Sequence, residues 1–366
     1  MKPVYLQSAQ LCSALGENLQ DAALACHEGR LPQPKWFELH ERHEQRPYLA
    51  VAGAPLDLRQ RLQQLIRTSS EGGALDDCLL ILASTTLDIA AIEARVAAGE
   101  ATGNQMAPAL DALAEELRRE WGFAGAFTLN TACTSAANAL LYGARLIARS
   151  HYRRALVVAF ETPSEVTRQG FGVLELTSPS AAYRPFHAER DGLILGEAYA
   201  SVMLACEPGP APLARLLGGF SACDTSSLTN TAEDGSHIDW VMRRALYSAK
   251  TKPAKIALVK LHGTATQTND LAESNGMRRT FAQALPPLCV LKPYLGHTLG
   301  ACGLSETLLL LESLRQGSLP GCDYAGQALL PLAAEPLAVA GHSLMLANYF
   351  GFGGNNASLV LQGITP

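Results

Sequence analysis

The chain has 366 residues, 48% hydrophobic and 17% charged, a composition too apolar for a chain that stays disordered. Its 29 Lys+Arg against 34 Asp+Glu give a formal charge of -5, which excludes the extended basic field that would hold a nucleic-acid backbone. The 9 cysteines, an odd number with no C-x-x-C pair, point to reduced thiols in the cytoplasm and away from a disulfide framework or a zinc site.

The N-terminal stretch to Gln10 lacks the continuous apolar segment of a signal peptide, because Gln7 and Gln10 interrupt it, and reads as a first strand. Apolar runs at residues 4–6, 79–83, 126–129, 155–159 and 200–204 read as buried strands. Among them, Leu110, Leu113, Leu117 and Trp121 recur at helical spacing, and residues 134–150 form a second helical pattern, with small residues first and leucines later. The segment 207–212, three prolines and a glycine in six residues, is the one breaker-dense stretch and marks a boundary between halves 1–208 and 209–366. Five further strand-like runs follow, at 214–217, 256–259, 289–291, 344–347 and 358–361. Two successive sets of five predict a duplicated α/β architecture. The leucine run that ends at Glu312 falls far short of the ~20 apolar residues of a bilayer span, so no membrane span is expected.

Three places combine reactive side chains with unusual surroundings. Cys133 follows the third run and precedes Thr134, Ser135 and a row of alanines, which puts a thiol at a helix N-terminus, where the dipole and free N–H groups favour a thiolate. A cysteine taken at random is more often a packing residue, but no packing demand legible here explains so many small residues at one corner. His262 ends the run at 256–261 and precedes Gly263 and Thr264, at the strand edge where open α/β sheets place their sites. His297 lies between Gly296 and Gly300, close to Lys292, with a leucine-rich helix after it. His27, His40, His43, His151 and His237 lack such surroundings and read as structural. The glycine-rich segment 348–356 has no P-loop spacing, so it reads as a turn or a loop of backbone N–H donors.

In this order, the Cys133 segment, His262-Gly263-Thr264, Lys292 with Gly296-His297, and Gly351-Phe352-Gly353-Gly354 resemble the motifs of the β-ketoacyl-acyl carrier protein synthases, condensing enzymes of the thiolase superfamily. Arg184-Pro185-Phe186, Arg190-Asp191-Gly192, Gly196-Glu197 and Asn269-Asp270 with Glu273 add to the likeness. The resemblance implies a thiolase-like, five-layered α/β/α/β/α fold, an acyl carrier protein as partner, a homodimer or a heterodimer with a second ketosynthase-like chain, and no metal or organic cofactor. By the same resemblance Cys133 carries the acyl chain as a thioester, and His262 and His297 donate hydrogen bonds to a malonyl thioester as carbon dioxide leaves. Lys292 supports His297, with Glu273 in the same network. The N–H groups of Cys133 and Phe350 form the oxyanion hole, Phe350 is the gating aromatic, and Thr264 belongs to the supporting shell.

The sequence departs from the family pattern where Ala265 replaces the second glycine of H-G-T-G-T, His187 the aspartate of R-P-F-D, and Ala159-Phe160 the glycines before Glu161. The region 36–79 is shorter than usual in the family. Short chains of this kind are also similar to the ketosynthases and chain-length-factor subunits of type II polyketide and aryl polyene clusters. A chain-length factor shapes the pocket without catalysing and generally lacks the nucleophilic cysteine, so the presence of Cys133 favours an enzyme. A degradative thiolase is disfavoured because residues 341–366 hold no cysteine.

Overall fold

The computed structural model describes residues 3–53, 56–87, 89–100, 110–226, 231–282 and 284–364. The chain runs through β1 (Val4–Ser13), α1 (Leu19–His27), β2 (Lys35–Leu39), β3 (Glu44–Leu49), α2 (Leu58–Ser70), β4 (Cys78–Ala83), α3 (Ile89–Ala97), α4 (Leu110–Trp121), β5 (Gly125–Leu129), α5 (Ser135–Ala148), β6 (Arg154–Glu161), α6 (Glu165–Val173), β7 (Leu195–Gly196) and β8 (Ala198–Ala205). It continues through β9 (Ala214–Cys223), α7 (Ser236–Ser248), β10 (Ile256–Lys260), α8 (Gln267–Phe281), β11 (Leu288–Cys289), α9 (Lys292–Leu295), α10 (Cys302–Gln316), β12 (Leu344–Phe350) and β13 (Asn355–Gly363).

All ten apolar runs are strands of one sheet, ordered β11-β10-β12-β13-β9-β1-β8-β6-β4-β5. Its two halves repeat one topology. From the seam outward, β1-β8-β6-β4-β5 and β9-β13-β12-β10-β11 each show two antiparallel pairings followed by two parallel ones. The halves meet through a short antiparallel ladder, Val4–Leu216, Tyr5–Arg215 and Leu6–Ala214. Every residue of β4 and β8 is buried, which is why these strands are continuous apolar runs rather than alternating ones.

Helices α5 and α10 touch strands of both halves and each other, while α2 and α4 cover the outer face of the first half and α7 that of the second, with α8 packed on α7. Five layers result, α/β/α/β/α, with apolar clusters at the centre and under each outer layer. The central helices explain the small residues after Cys133. A Cβ on Gly303 of α10 would lie 2.2 Å from the Ala137 nitrogen and 2.9 Å from its Cα, so the two helices touch backbone to backbone. The expectation that packing makes no such demand was wrong, because the crossing involves a helix 170 residues away in sequence that local patterning cannot reveal. Gly303→Ala gains roughly 1 kcal/mol of helix propensity but forces the buried layer apart at about 1–3 kcal/mol or more. A lower urea midpoint is the expected result, and an unchanged one would remove the close crossing.

The small sheet β2-β3-β7 was not legible, since its strands carry Lys35, Glu38, Glu44, Arg46 and Pro47 and read as loop. The predicted strand at 289–291 is shorter and displaced, Leu288–Cys289. Among the described residues no helix is long and apolar enough to cross a membrane.

Candidate active site

Cys133 lies in the turn between β5 and α5. Ala132 before it adopts φ +50, a left-handed conformation that costs a non-glycine residue of order 1–3 kcal/mol. Side-chain hydrogen bonds hold the turn. Thr131 N donates to Ser135 Oγ at 2.9 Å, Ser135 Oγ to Ala132 O at 2.6 Å, Thr134 Oγ1 to Thr131 O at 2.7 Å and Asn138 Nδ2 to Thr131 Oγ1 at 2.9 Å. The thiol opens on a cavity of about 50 Å³ lined also by His262, His297, Thr264, Phe350 and Phe352.

Burial pushes the Cys133 thiol up to about 12, only partly opposed by the Lys292 charge and a Phe352 backbone hydrogen bond. Desolvation thus outweighs the pull of the helix N-terminus and of Lys292 on this thiol. The backbone partner of the thiol is Phe352, not Phe350. Phe350 instead sets its ring 5.7 Å from that of His262, while Phe352 stacks on Phe171 of α6 at 5.5 Å and 11°. The sequence reading named Phe350 alone, and nothing local in the F-G-F spacing singled out Phe352.

His262 and His297 face each other with ring centroids 5.4 Å apart. Burial first, then the Lys292 charge, holds both imidazoles well below their usual range, so both are neutral. Lys292 Nζ lies 3.3 Å from His262 Nδ1 and donates to Glu306 Oε1 at 2.5 Å. An ammonium can only donate, so His262 Nδ1 accepts and the ring proton sits on Nε2. The sequence reading paired Lys292 with His297. Its hydrogen bond goes to His262 instead, since α9 carries Nζ to that ring, and it reaches His297 only through its charge. Backbone bonds hold His297, whose N donates to Ile194 O at 2.7 Å and whose O accepts from Gly196 N at 3.0 Å.

Glu273 meets the lysine cluster through the Lys260 charge rather than through a hydrogen bond to Lys292. It accepts from the amides of His262 at 2.8 Å and Gly263 at 3.0 Å and from Asn348 Nδ2 at 3.3 Å, so it shapes the His262 loop. Burial pushes its carboxyl up to about 7 against those amides. Thr264 donates its N–H to Asp270 at 3.0 Å, and its hydroxyl lies 2.9 Å from that of Thr266. Ala265 holds φ +60 where the family has glycine, accepting the strain of a left-handed alanine. His187 replaces an aspartate as a loop cap. Its Nδ1 accepts from Glu189 N at 2.9 Å, and its Nε2 contacts Gln327 Oε1 at 2.7 Å.

Residues 93–207 match the model of the beta-ketoacyl synthase N-terminal domain, and residues 213–322 match that of the beta-ketoacyl synthase C-terminal domain. The chain belongs to the beta-ketoacyl synthase family. The 3-oxoacyl-[acyl-carrier-protein] synthase 2 of Mycobacterium leprae (strain TN) is 28% identical over 252 residues, 64% of this chain and 60% of that protein. The Vibrio cholerae protein of the same name is 29% identical over 64% of this chain and 61% of its own length. The match thus spans less than two thirds of these relatives. Among solved structures, a chain of a ketosynthase in complex with its chain length factor from Xenorhabdus doucetiae has a TM-score of 0.84 at 26% identity, covering 99% of this chain and 98% of that one. A beta-ketoacyl synthase from Burkholderia phymatum STM815 has 0.83 at 26% identity and full coverage of both chains.

Three groups at this synthase-family site escaped the sequence reading. Glu306 accepts from both Lys292 and Lys260, the latter at 2.5 Å, and all three side chains are fully buried. A glutamate ahead of the leucine run of α10 and a lysine closing an apolar strand were the available signals. Glu161, noted only as a motif remnant, accepts from Ser84, Thr85, Thr86 and Gly300, tying β4 and β6 to the His297 loop.

Proposed function

We propose that the chain is a β-ketoacyl-acyl carrier protein synthase that condenses an acyl thioester on Cys133 with malonyl-acyl carrier protein. What carries this reading is the convergence of Cys133, His262 and His297, from three separate loops, on one cavity. The histidines are the only titratable bases lining it among the described residues, so an imidazole takes the thiol proton as sulfur attacks the acyl carbonyl and hands it to the carrier sulfur as the C–S bond breaks. The N–H groups of Cys133 and Phe352 hold the resulting oxyanion, and the carrier thiol leaves. In the second step His262 Nε2–H and His297 hydrogen-bond the malonyl thioester carbonyl. Carbon dioxide departs, the enolate carbon attacks the acyl group, and Cys133 is released as the β-ketoacyl thioester leaves. A cavity of about 50 Å³ cannot hold an acyl chain, so the Phe171–Phe352 stack parts to admit one.

Within this reading, residues 1–208 supply the thiol and 209–366 the histidines and the glycine-rich loop. No metal or organic cofactor takes part, and nine free thiols suit a reducing cytoplasm. The likeness to a ketosynthase bound to a chain length factor supports a heterodimer, in which this chain is the catalytic subunit.

The test is mass measurement of product formed from acyl- and malonyl-carrier proteins, by this chain alone and with a co-purified partner chain. Formation of β-ketoacyl product is expected. His262→Ala and His297→Ala should each lower condensation by about 10²–10³ while Cys133 still takes up acyl groups. Product with an unacylated Cys133, appearing only when a second ketosynthase is added, would assign this chain the non-catalytic, pocket-shaping role.

A further inference from the structure

We propose that Lys260, resting on the condensing reading above, is a positioning residue for the two-histidine site: it clamps Glu306 so that Lys292 is presented to His262, and it adds a surplus positive charge that keeps a further proton off either ring. Lys260 and His262 are two residues apart on one extended segment, so their side chains leave the same face. Lys260 Nζ donates to Glu306 Oε2 at 2.5 Å, leaving Oε1 for Lys292, whose Nζ then sits 3.3 Å from His262 Nδ1. The Lys260 ammonium also lies 3.8 Å from the centroid of the Tyr349 ring, and Tyr349 Oη is 2.6 Å from Thr307 Oγ1, one residue after Glu306.

Two ammoniums share one carboxylate in a fully buried space, so the Lys260–Glu306–Lys292 trio taken by itself carries a net positive charge, with Glu273 also within reach of the Lys260 charge. A second cation is a poor choice for packing alone, since an apolar side chain would fill the same volume without the desolvation cost. Beside two imidazoles that must stay neutral and donate to a developing anion, the surplus charge has a use. The Lys260 charge is felt at both rings.

The groups around the rings come from every neighbouring element. They are Lys292 on α9, Lys260 on β10, Glu306 on α10, Glu273 and Asp270 on α8, Glu161 on β6, and the thiols Cys133 and Cys302. The two lysines are the cations of this set, so removing one raises the proton affinity of both rings and moves their titration to higher pH.

The experiment follows the His262 and His297 resonances against pH by NMR on the full chain, together with the pH profile of condensation. In Lys260→Met the ring midpoints and the acid limb of activity should rise by on the order of one pH unit, and kcat should fall more than KM rises. Lys260→Arg should restore most of the difference. Wild-type midpoints in a folded Lys260→Met, whatever its thermal stability, would overturn the proposal. If that variant does not fold, Lys260→Gln replaces it, and a wild-type ring titrating near its ordinary value of about 6.5 overturns the proposal without any variant. A wild type that forms no β-ketoacyl product would sink the condensing reading, while the ring titrations still decide the role of Lys260.

Discussion

Cys133→Ala should leave a folded protein that takes up no acyl group and condenses at a rate reduced by at least about 10⁴. The substitution removes one buried sulfur from a corner already made of alanines, and the turn is held by Thr131, Ser135 and Asn138, none of which needs the thiol. Stability should therefore change by no more than about 1 kcal/mol. The readout is the mass of the peptide containing residue 133 after incubation with an acylated carrier protein. Cys302 supplies an internal control, since its Sγ lies 3.0 Å from the carbonyl oxygen of Cys133 and is equally buried. An acyl adduct that persists in the variant on Cys302 would move the nucleophile by one helix.

Glu306→Gln is the change expected to cost most stability. It strips the shared carboxylate from Lys260 and Lys292, leaving two buried ammoniums opposite a neutral amide, and breaking a buried pair in this way costs about 3–5 kcal/mol. Exchanging the whole cluster is a different case. A Lys260→Met, Glu306→Leu, Lys292→Met triple variant removes every unpaired charge, so most of the lost stability should return while condensation stays abolished. Urea denaturation of the single and triple variants separates the two effects. A single variant as stable as the wild type would mean that water reaches the lysines.

The ten long-sheet strands were readable because both faces of that sheet are covered, which turns strands into unbroken apolar runs between polar helices. The β2–β3 hairpin gave no such sign, since exposed charged residues and a proline interrupt its apolar positions. At the site, Cys133, His262 and His297 stood out because close backbone approach demands small neighbours, which leaves a local mark. Lys260 and Glu306 left only a weak one, because a charged residue in a strand or helix is read as exposed until the partner that neutralises it is known. Phe350 was named in place of Phe352 because two residues of the same type, one position apart on either side of Gly351, leave no local mark of which backbone N–H faces the thiol.

The short ladder between β1 and β9 joins a half that carries the thiol to a half that carries both imidazoles. Under the condensing reading, activity depends on this seam and should vanish before circular dichroism reports any loss of helix. Two polypeptides cut between β8 and β9 would each be inert in isolation, and enzymatic turnover on mixing would serve as a gauge of their reassociation.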